Sequence, residues 1–542
     1  FLRATARGGL TKNVSRDEQF KSPKHPDYLE TDKLKQGSFS ASTSEAFSYN
    51  GDLNIAFGKL FVEKHQVNVV GGWSFSENKN KRDGYSVVGF NDDLHMNPAF
   101  STGFTDGQKP NYSLERSRST SFFMNVNYSF MNRYLMDFNV RSDGTSKFGA
   151  NKRFSTTWSV GLAWNLHNEE FMKSLGLFTN FKIRASVGNP GNQNFDAYQA
   201  MKIYKYNVEL QNMFGSSAII DQFGNKDLDW QRTLDKNIGV DISMLRNRIR
   251  VTLDYYYKDT DPLLISVPMP PSVGVGSINA NAGRQLSWGW NGSIFGTVIQ
   301  KQDLSWTLNA NFRTSKSEYR DIGDKLNEFN ELGSAQSLVR YYEGASPDDM
   351  WAVPSLGIDP ATGAEMFRKK DGSQTFIYST ADEVVVGCSR PDVEGVIGSS
   401  FYYKGFSASV NFRYRLGGEV MASALYSKVE NISEEQIYYN QDKRALHDRW
   451  KQPGDKAKFK SIKDNSATPM SSRFVRTENT FSGESISMGY ESSAVWIKKI
   501  GAEGVTFRAY MNDIFRVSSF KEERGTDYPF ARTVSFSLSL RF

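Results

Sequence analysis

The sequence predicts an all-β protein, a transmembrane antiparallel β-barrel that takes up residues 1–542. Three observations lead to this fold class: apolar and polar residues alternate in roughly fifteen segments, tight turns alternate with long polar connections, and aromatic residues reach 14% although only 39% of the chain is hydrophobic. The mean hydropathy is -0.53, and no apolar run approaches the ~18–20 residues of a membrane-spanning helix. A closed barrel is the remaining way to cross lipid with every backbone group hydrogen-bonded.

The last segment of the chain shows the alternation most clearly. Apolar side chains occupy every second position, and small or polar residues fill the positions between them. The apolar set is Val534, Phe536, Leu538, Leu540 and Phe542. A strand places such residues on one side of its pleat, whereas a helix would scatter them around its axis. We therefore expect a strand here with one face toward lipid.

Paired segments joined by short links predict hairpins along the rest of the chain. The pairs are Phe122–Phe130 with Tyr134–Val140, Ile238–Met244 with Ile249–Tyr257, and Leu286–Val298 with Leu304–Phe312. Further strands are predicted at Val67–Phe75, Phe154–Asn165, Phe181–Val187, Phe406–Tyr414, Ser485–Tyr490 and Val505–Asn512, with weaker ones near Ile55 and Phe401. Most are close to the ~9–11 residues that a tilted barrel strand requires.

Five long connections are polar and rich in Gly, Pro, Asn, Asp and Ser. They are Asn78–Arg118, Gly188–Lys236, Asp259–Arg284, Lys316–Val396 and Gly417–Gly483. Barrels of this kind place their short turns at the periplasmic rim and their long loops outside the cell. Tyr341, Tyr342 and Trp351 fall in the fourth loop, so they are our candidates for contact with a ligand or partner; packing within the loop is the other role open to them.

The aromatic residues of the strands also have two roles open to them. Trp288, Trp290, Trp306, Tyr255 and Tyr257 lie on apolar strand faces, where an interfacial girdle is expected. Flat aromatic rings also stack on sugars. The girdle is the favoured interpretation, and Tyr256 is expected to point the other way.

Composition and motifs give no support for an enzyme or for binding to nucleic acid. The five His residues are scattered without a His-Glu-x-x-His pattern, and Cys388 is the only cysteine. We therefore expect no catalytic residue, no cofactor and no metal site. Asp359 and Asp371 are not part of a loop with the regularly spaced acidic residues that calcium favours. The net charge of +6 comes without a dense basic block.

A series of segments along the chain carries a family resemblance. They are Arg141–Gly149 with Arg153-Phe154, Ser186–Asn189, Trp230 with Asn237–Asp241, Leu356–Gly363, Gly395 with Tyr403–Phe406, Arg449–Asp455, and Tyr528–Thr533. Together and in this order they resemble the SusC/RagA family of TonB-linked outer-membrane proteins of Bacteroidota. The most specific are Leu356-Gly357-Ile358-Asp359-Pro360-Ala361-Thr362-Gly363 and Arg449-Trp450-Lys451-Gln452-Pro453-Gly454.

The resemblance implies TonB-dependent import of glycans or oligopeptides across the outer membrane. It implies a barrel of about 22 strands when intact, of which this chain supplies roughly the C-terminal two-thirds. The implied partners are a SusD-like surface lipoprotein and the TonB complex, with a dimer of SusC-SusD pairs as a further expectation. By resemblance to outer-membrane proteins in general, Phe542 is the expected barrel-assembly terminus.

Other functions stay open on the sequence alone. The family's signal peptide, TonB box and plug domain are not visible in this sequence, and we expect them to lie outside this chain. A passive pore or an export and assembly channel needs no energy coupling, and a surface adhesin or receptor binds without uptake. A plug and a TonB box upstream would favour active import over these alternatives.

Overall fold

The computed structural model describes residues 1–542 except 106–107, 148, 150, 193–200, 214, 226–229, 270, 282, 328–329, 331–336, 434, 439, 495–496, 498, 500 and 522–530. Antiparallel strands dominate, and the largest sheet has 19 strands. The predicted all-β class is confirmed.

Sixteen strands of this sheet form a meander in which each strand is hydrogen-bonded to the next along the chain. They are β1 Leu2–Lys21, β2 Ser38–Phe61, β3 His65–Val88, β4 Asn111–Phe130, β5 Tyr134–Thr145, β6 Phe154–Asn165, β7 Phe178–Asn189, β8 Gln231–Met244, β9 Ile249–Thr260, β10 Arg284–Lys301, β11 Leu304–Arg313, β12 Val393–Tyr403, β13 Phe406–Leu416, β14 Thr480–Ser492, β15 Gly504–Ser518 and β16 Val534–Arg541. Within the described residues, one edge of β1 and one edge of β16 pair with no other strand.

The remaining elements are short. Three more strands extend the main sheet: Gly103–Phe104, Gly191–Asn192 and Lys316–Arg320. Five small sheets form in the connections: Ile203–Asn212 with Gly215–Gln222, Leu264–Pro268 with Ser277–Asn281, Asp349–Ala352 with Val384–Cys388, Ser355–Ile358 with Glu365–Arg368 and Gln374–Thr375, and Glu419–Met421 with Val475–Thr477. The helical segments are Pro26–Tyr28, Lys33–Lys35, Pro98–Phe100, Leu166–Asn168, Glu170–Lys173, Pro271–Val273, Gly323–Leu326, Thr380–Asp382, Leu425–Glu430, Glu435–Tyr438, Arg444–His447 and Ser472–Phe474. In the part of the chain that the structure describes, no helix has the length and apolar character needed to cross a membrane.

The two faces of the meander differ in chemistry. One face, which we call the outer face, exposes large apolar side chains such as Phe122, Ile294, Leu308 and Phe536. On the opposite face, the inner face, small polar residues from neighbouring strands meet. Hydroxyl pairs join Ser76 to Ser119 at 2.7 Å and Ser409 to Ser487 at 2.7 Å. Because an exposed apolar wall is unfavourable in water, the outer face is the one suited to lipid.

The sheet curls around its inner face. A cavity of about 750 Å³ lies on that face. Its lining residues come from seven consecutive strands, β5 to β11: Asn139, Ser159, Ser186, Asn237, Tyr256, Asn291 and Arg313. A flat sheet would hold β5 and β11 roughly 28 Å apart, since neighbouring strands are spaced by about 4.7 Å. The shared cavity therefore requires the strongly curved wall of a barrel.

Aromatic rows lie at two heights on the outer face. Near the tight turns, Phe130 and Tyr134 stack with ring centroids 6.4 Å apart, and Tyr134 stacks on Trp164 at 6.2 Å. Toward the long loops, Trp73 lies 5.1 Å from Phe75. Residues 65 and 75 of β3 mark the two heights and are separated by about 33 Å along the strand. At a tilt of roughly 40° this gives a height of about 25 Å, which matches the apolar band of a membrane barrel.

The girdle interpretation of the strand aromatics agrees with this arrangement. Tyr255 and Trp290 are cross-strand neighbours on the outer face, with ring centroids 5.0 Å apart. Tyr257 lies opposite Trp288 in the same register. Tyr256 points to the inner face, as the sequence predicts, where it is buried and lines the cavity.

The tight turn predicted at Met131–Arg133 is confirmed, and a further tight turn is found at Lys404-Gly405. Met131 and Asn132 have φ of 51° and 53°, and the Arg133 amide donates to the Phe130 carbonyl at 2.9 Å. Lys404 and Gly405 form a two-residue link with φ of 44° and 89°. Positive φ at both central residues gives a backbone twist that matches the flanking strands.

Some predicted bounds are wrong. The predicted loop Asn78–Arg118 is much shorter, because β3 runs on to Val88 and β4 begins at Asn111. These extensions are mostly polar, so their sequence lacks the sustained alternation that marks the lipid-embedded half of a strand. β1 is not among the predicted strands, since its outer positions are partly small residues. A bulge between Thr297 and Ile299 breaks the alternation predicted to continue through Val298.

Arginine at position 308 should destabilise the barrel far more than arginine at position 309. Leu308 lies on the outer face, where a charge at mid-membrane costs roughly 2 to 4 kcal/mol. Asn309 lies on the inner face, where its amide oxygen would be 2.5 Å from a Cβ added at Gly398. Urea unfolding of Leu308→Arg and Asn309→Arg in lipid vesicles measures both effects. Equal destabilisation would contradict the assignment of the two faces.

Candidate functional site

An ion-paired arginine ties three strands together on the inner wall. Arg184 of β7 lies 3.0 Å from Asp241 of β8 and 2.7 Å from Asp254 of β9. The arginine reaches across β8 at Gly239, where an added Cβ would lie 2.4 Å from the Asp254 carboxylate and 2.7 Å from the guanidinium carbon. Glycine is therefore needed at this point for the arginine to cross the strand. The pairing fixes charged groups on the wall that faces the lumen.

The inner-face cavity offers polar groups of several kinds. Its lining includes the basic residues Arg141, Lys258 and Arg313 and the acidic residue Asp235, together with amide and hydroxyl groups. Such a wall can hydrogen-bond to sugar hydroxyls and to peptide groups, and its charges can pair with either end of a zwitterion. The cavity therefore suits a polar, water-soluble molecule.

A chain of contacts links the inner wall to the loops above it. The Tyr256 hydroxyl donates to Ser315 Oγ at 2.8 Å, and Arg390 donates to the same hydroxyl oxygen at 2.5 Å. Arg390 also forms an ion pair with Asp348, with Nε and Oδ2 2.7 Å apart. A second cavity, of about 780 Å³, lies where the rim of β10 meets these loops, and Ser315 and Arg390 help to line it. The inner wall and the loops thus share residues.

The loops between β11 and β12 and between β13 and β14, residues 314–392 and 417–479, form what we call the loop layer. Its best-buried ion pair joins Arg340 to Glu383, whose side chains are only 1% and 3% exposed. The pair is bidentate, with distances of 2.8 Å and 2.7 Å. Breaking a buried pair of this kind costs about 3 to 5 kcal/mol, because one charge is left without compensation. Nearby, burial raises the pKa of the Tyr378 hydroxyl to about 12.

A second buried network holds the other half of the loop layer. Arg473 pairs with Glu365 at 2.8 Å and with Glu430 at 2.9 Å. The Thr468 hydroxyl donates to Glu430 at 3.0 Å, and the Arg473 guanidinium lies 4.5 Å from the Phe474 ring centre. Glu365 and Glu430 come from different loops, so Arg473 connects them. The loop layer therefore has internal order of its own.

The two most specific family segments of the sequence meet within the loop layer. Trp450 packs its indole against Gly363 and donates its Nε1 hydrogen to the Pro360 carbonyl at 2.9 Å. The Gly454 amide donates to the same carbonyl at 2.8 Å. An added Cβ at Gly363 would lie 2.5 Å from the indole ring, and its φ is +74°. The Arg-Trp-x-x-Pro-Gly segment and the Asp-Pro-Ala-Thr-Gly turn are therefore two halves of one contact.

The three candidate aromatics of the loop layer are partly buried. Tyr341 packs on a buried cluster that includes Tyr319, with ring centroids 5.5 Å apart. The Tyr342 and Trp351 rings lie 4.6 Å apart. The structure thus brings Tyr342 and Trp351 together and places Tyr341 on a separate cluster. Their role in contact with a ligand or partner stays a prediction.

The other residues weighed in the sequence are engaged in local structure. Asp359 accepts hydrogen bonds from the Thr362 amide and hydroxyl, and the hydroxyl bond lowers the pKa of its carboxyl. Asp371 accepts in the same way from Ser373. Burial raises the pKa of the Cys388 thiol, which favours the unreactive protonated form. Among the described residues, no group of three or more His, Cys, Asp or Glu side chains is arranged to hold a metal ion.

Family segments elsewhere are only partly described. Trp230 is fully buried, and Gly191 lies against its ring. Phe148 of the Arg141–Gly149 segment and residues Tyr528, Pro529 and Phe530 of the final segment lie outside the described residues. Phe542 lies just beyond β16 and is exposed.

Comparisons with known proteins agree with this architecture. Residues 3–357 match the family model described as "TonB dependent receptor-like, beta-barrel". The TonB-dependent receptor P39 of Formosa agariphila is 24% identical over 521 residues, which cover 86% of this chain and 49% of that protein. The TonB-dependent receptor SusC of Bacteroides thetaiotaomicron is 26% identical over 463 residues, which cover 79% of this chain and 44% of that protein. The chain spans about half the length of the curated relatives it matches.

Solved structures share the fold. The RagAB peptide importer in its "open-open" state aligns with a TM-score of 0.82 at 22% identity, covering 100% of this chain and 59% of that one. Its "closed-closed" state aligns with a TM-score of 0.81 at 21% identity, covering 96% and 57%.

A curved meander with an apolar outer face, a polar inner wall and an ordered layer of long loops at one rim defines an outer-membrane type of β-barrel. This chain belongs to the TonB dependent receptor-like β-barrel family, a family of transport receptors of the outer membrane. The resemblance to the SusC/RagA proteins, inferred from the sequence motifs, is confirmed.

Alanine at position 363 should loosen the loop layer more than alanine at position 372. Both glycines have positive φ, +74° and +88°, so both variants are strained by a Cβ on a left-handed backbone. Only Gly363 has the Trp450 ring against it, whereas nothing lies within 4 Å of a Cβ at Gly372. The additional overpacking costs about 1 to 3 kcal/mol. Hydrogen exchange across 356–364 and 449–454 measures the local opening, and equal effects of Gly363→Ala and Gly372→Ala would rule out the proposed contact.

Proposed function

We propose that this chain is the barrel part of a TonB-dependent importer of the outer membrane that takes up glycans or oligopeptides. Residues 1–542 form the transmembrane barrel wall and its extracellular loops, and they supply sixteen of about 22 strands of the intact barrel. The plug and the TonB box belong to segments outside this chain. Energy coupling runs through those segments to the TonB complex.

The inner-face cavity is the observation that carries this proposal. A wall of seven strands lined by amides, hydroxyls and charges of both signs favours polar cargo. A barrel of this width is too broad to be filled by its own side chains, so it needs a plug to prevent leakage. Cargo passage then requires the plug to move, and this movement is the step that TonB drives.

The loop layer supports a partner at the extracellular rim. Its buried ion pairs give it a defined surface above the second cavity. A SusD-like surface lipoprotein seated on this surface would enclose cargo between itself and the barrel. Two such pairs assembled side by side give the proposed dimer.

Uptake in living cells tests the import proposal. Cells that express the full-length protein receive a labelled oligopeptide or oligosaccharide, and internal label is measured after the surface label is quenched. We expect accumulation of one cargo class, and we expect it to stop when TonB is deleted. Accumulation that persists without TonB indicates a passive pore, and surface label without accumulation indicates an adhesin or receptor.

A matched pair of variants refines the uptake experiment. Asn291→Trp places a large ring in the inner-face cavity, whereas Ile294→Trp places it on the outer face of the same strand. Asn291→Trp should reduce accumulation severalfold while Ile294→Trp leaves it unchanged. Equal accumulation in both variants would mean that cargo does not pass along this wall.

The loop aromatics should become protected when the lipoprotein binds. We propose that Tyr341, Tyr342 and Trp351 support the surface on which the partner sits. Hydrogen exchange of the full-length barrel with and without the lipoprotein should show slower exchange around these residues and unchanged exchange at the opposite rim, at Met131–Arg133. Unchanged protection throughout 316–396 and 417–483 would contradict a lid and favour a lone pore.

Removal of Phe542 should lower the amount of assembled barrel. We propose that this aromatic end of an alternating strand is read during insertion into the outer membrane. Heat-modifiable mobility on gels measures the folded fraction in isolated outer membranes. The Phe542→Tyr variant keeps an aromatic ring and should assemble normally, whereas a normal yield after deletion of Phe542 would rule out this role.

A further inference from the structure

The outer face of β1 to β4 carries a line of basic residues above the upper aromatic row. Lys12 is paired with Phe47, Phe47 with Lys79, and Lys79 with Arg116, so the four residues lie side by side on four neighbouring strands. We call Lys12, Lys79 and Arg116 the cation row. In β3, Lys79, Trp73 and Phe75 are separated by even numbers of residues, so all three side chains project from the same face of the sheet.

A second line lies between the cation row and the aromatic residues. Glu77 is only 6% exposed, and it accepts hydrogen bonds from Arg116 Nε at 2.5 Å and Arg118 Nε at 2.7 Å. The Tyr49 hydroxyl donates to the same carboxylate at 2.8 Å. One carboxylate thus orients two guanidinium groups, whose side chains are 49% and 60% exposed. The two guanidinium groups and the one carboxylate together retain a net positive charge, which is directed outward.

Apart from Glu77, the acidic residues on this face lie toward the far end of the strands. Glu45 and Asp83 lie beyond the cation row. Asp83 forms an ion pair with Lys81 at 3.3 Å, and the lysine compensates the negative charge of the aspartate. Lys12 and Lys79 are exposed. The cation row and Arg118 together therefore form a positively charged patch.

The height of the patch corresponds to the lipid headgroups. Lys79 lies four residues beyond Phe75, which is about 13 Å along the strand and about 10 Å along the membrane normal at a tilt of roughly 40°. The headgroup layer extends roughly 5 to 8 Å beyond each surface of the hydrocarbon core. Lysine and arginine side chains extend several ångströms from the backbone, so those that bend toward the membrane place their charges at the level of the headgroups.

Aromatic residues run from the level of the cation row down to Phe75, which marks the edge of the hydrocarbon core. Phe47 is 42% exposed between Lys12 and Lys79, and its ring lies 6.4 Å from Tyr49. Tyr49 in turn lies 6.3 Å from Phe75. Aromatic rings of this kind settle at the membrane interface. Charge above and aromatic surface below together match a lipid with an anionic headgroup.

We propose that the cation row and Arg118 form a binding site for the phosphate groups of lipid headgroups in the outer leaflet. Arginine offers forked N–H donors to phosphate oxygens, and lysine offers a compact positive charge. The site lies on the outer face, away from the inner wall. It depends on the placement of the barrel in the membrane and is independent of import.

Lipid retention by the purified full-length protein tests the site. The outer variant combines Lys12→Gln, Lys79→Gln and Arg116→Gln. The control combines Arg3→Gln, Arg7→Gln and Arg82→Gln, which removes the same charge from the inner face of β1 and β3. Native mass spectrometry then counts bound phosphatidylglycerol, diphosphoryl lipid A or phosphatidylcholine. A Lys12→Arg, Lys79→Arg variant changes the same two lysines but keeps their charge, so it separates the loss of charge from the loss of the lysine side chains.

We expect the wild type, the inner-face control and the arginine variant to retain the two anionic lipids equally well. The outer variant should bind them more weakly by about fivefold for each charge removed, on the order of a hundredfold in all. Phosphatidylcholine should bind weakly to every form. Equal retention by the outer variant and the control would overturn the proposal. Complete displacement of lipid by millimolar inorganic phosphate would also overturn it, because the site would then be one for a free anion.

Discussion

Backbone hydrogen bonding in lipid is the constraint on which the rest of this structure depends. Each strand from β2 to β15 is hydrogen-bonded to a neighbour on both sides, and alternation then sends apolar side chains outward and polar ones inward. The free edges of β1 and β16 among the described residues are incompatible with exposure to lipid, since each unpaired group there costs several kcal/mol. In the proposed importer, other strands complete this arc of sixteen.

The same alternation makes the inner wall and the loop layer possible. A predominantly polar inward face can carry the Arg184 ion pairs and a cavity with polar lining. The contacts among Tyr256, Ser315 and Arg390 then continue this polar wall into the loops. The loop layer keeps its shape through buried ion pairs together with small buried apolar clusters, such as that of Val429, Ala445 and Phe459. A partner or cargo thus meets a surface whose framework is already formed.

The sequence predicts the lipid-embedded halves of the strands well and the rest less completely. The strand from Phe122 to Phe130 is easy to predict because lipid selects apolar residues at every second position. The mostly polar stretch from Asn78 to Val88 continues strand β3 outside the lipid, where no such selection acts. Contacts between distant segments are harder still to infer. The packing of Trp450 on Gly363 and the alignment of Lys12, Lys79 and Arg116 depend on folding and on strand register, which one sequence does not supply. The resemblance to a family indicated which segments matter, but not that two of them touch.

The most direct test of this account is the strand pairing at the two free edges in the intact protein. A cryo-electron microscopy structure of the full-length chain in a lipid nanodisc would show the neighbours of β1 and β16. The account predicts that each edge is hydrogen-bonded to a further strand of the same chain, with apolar residues continuing around the outer face. Direct pairing of Leu2–Lys21 with Val534–Arg541, closing a barrel of sixteen strands, would contradict it.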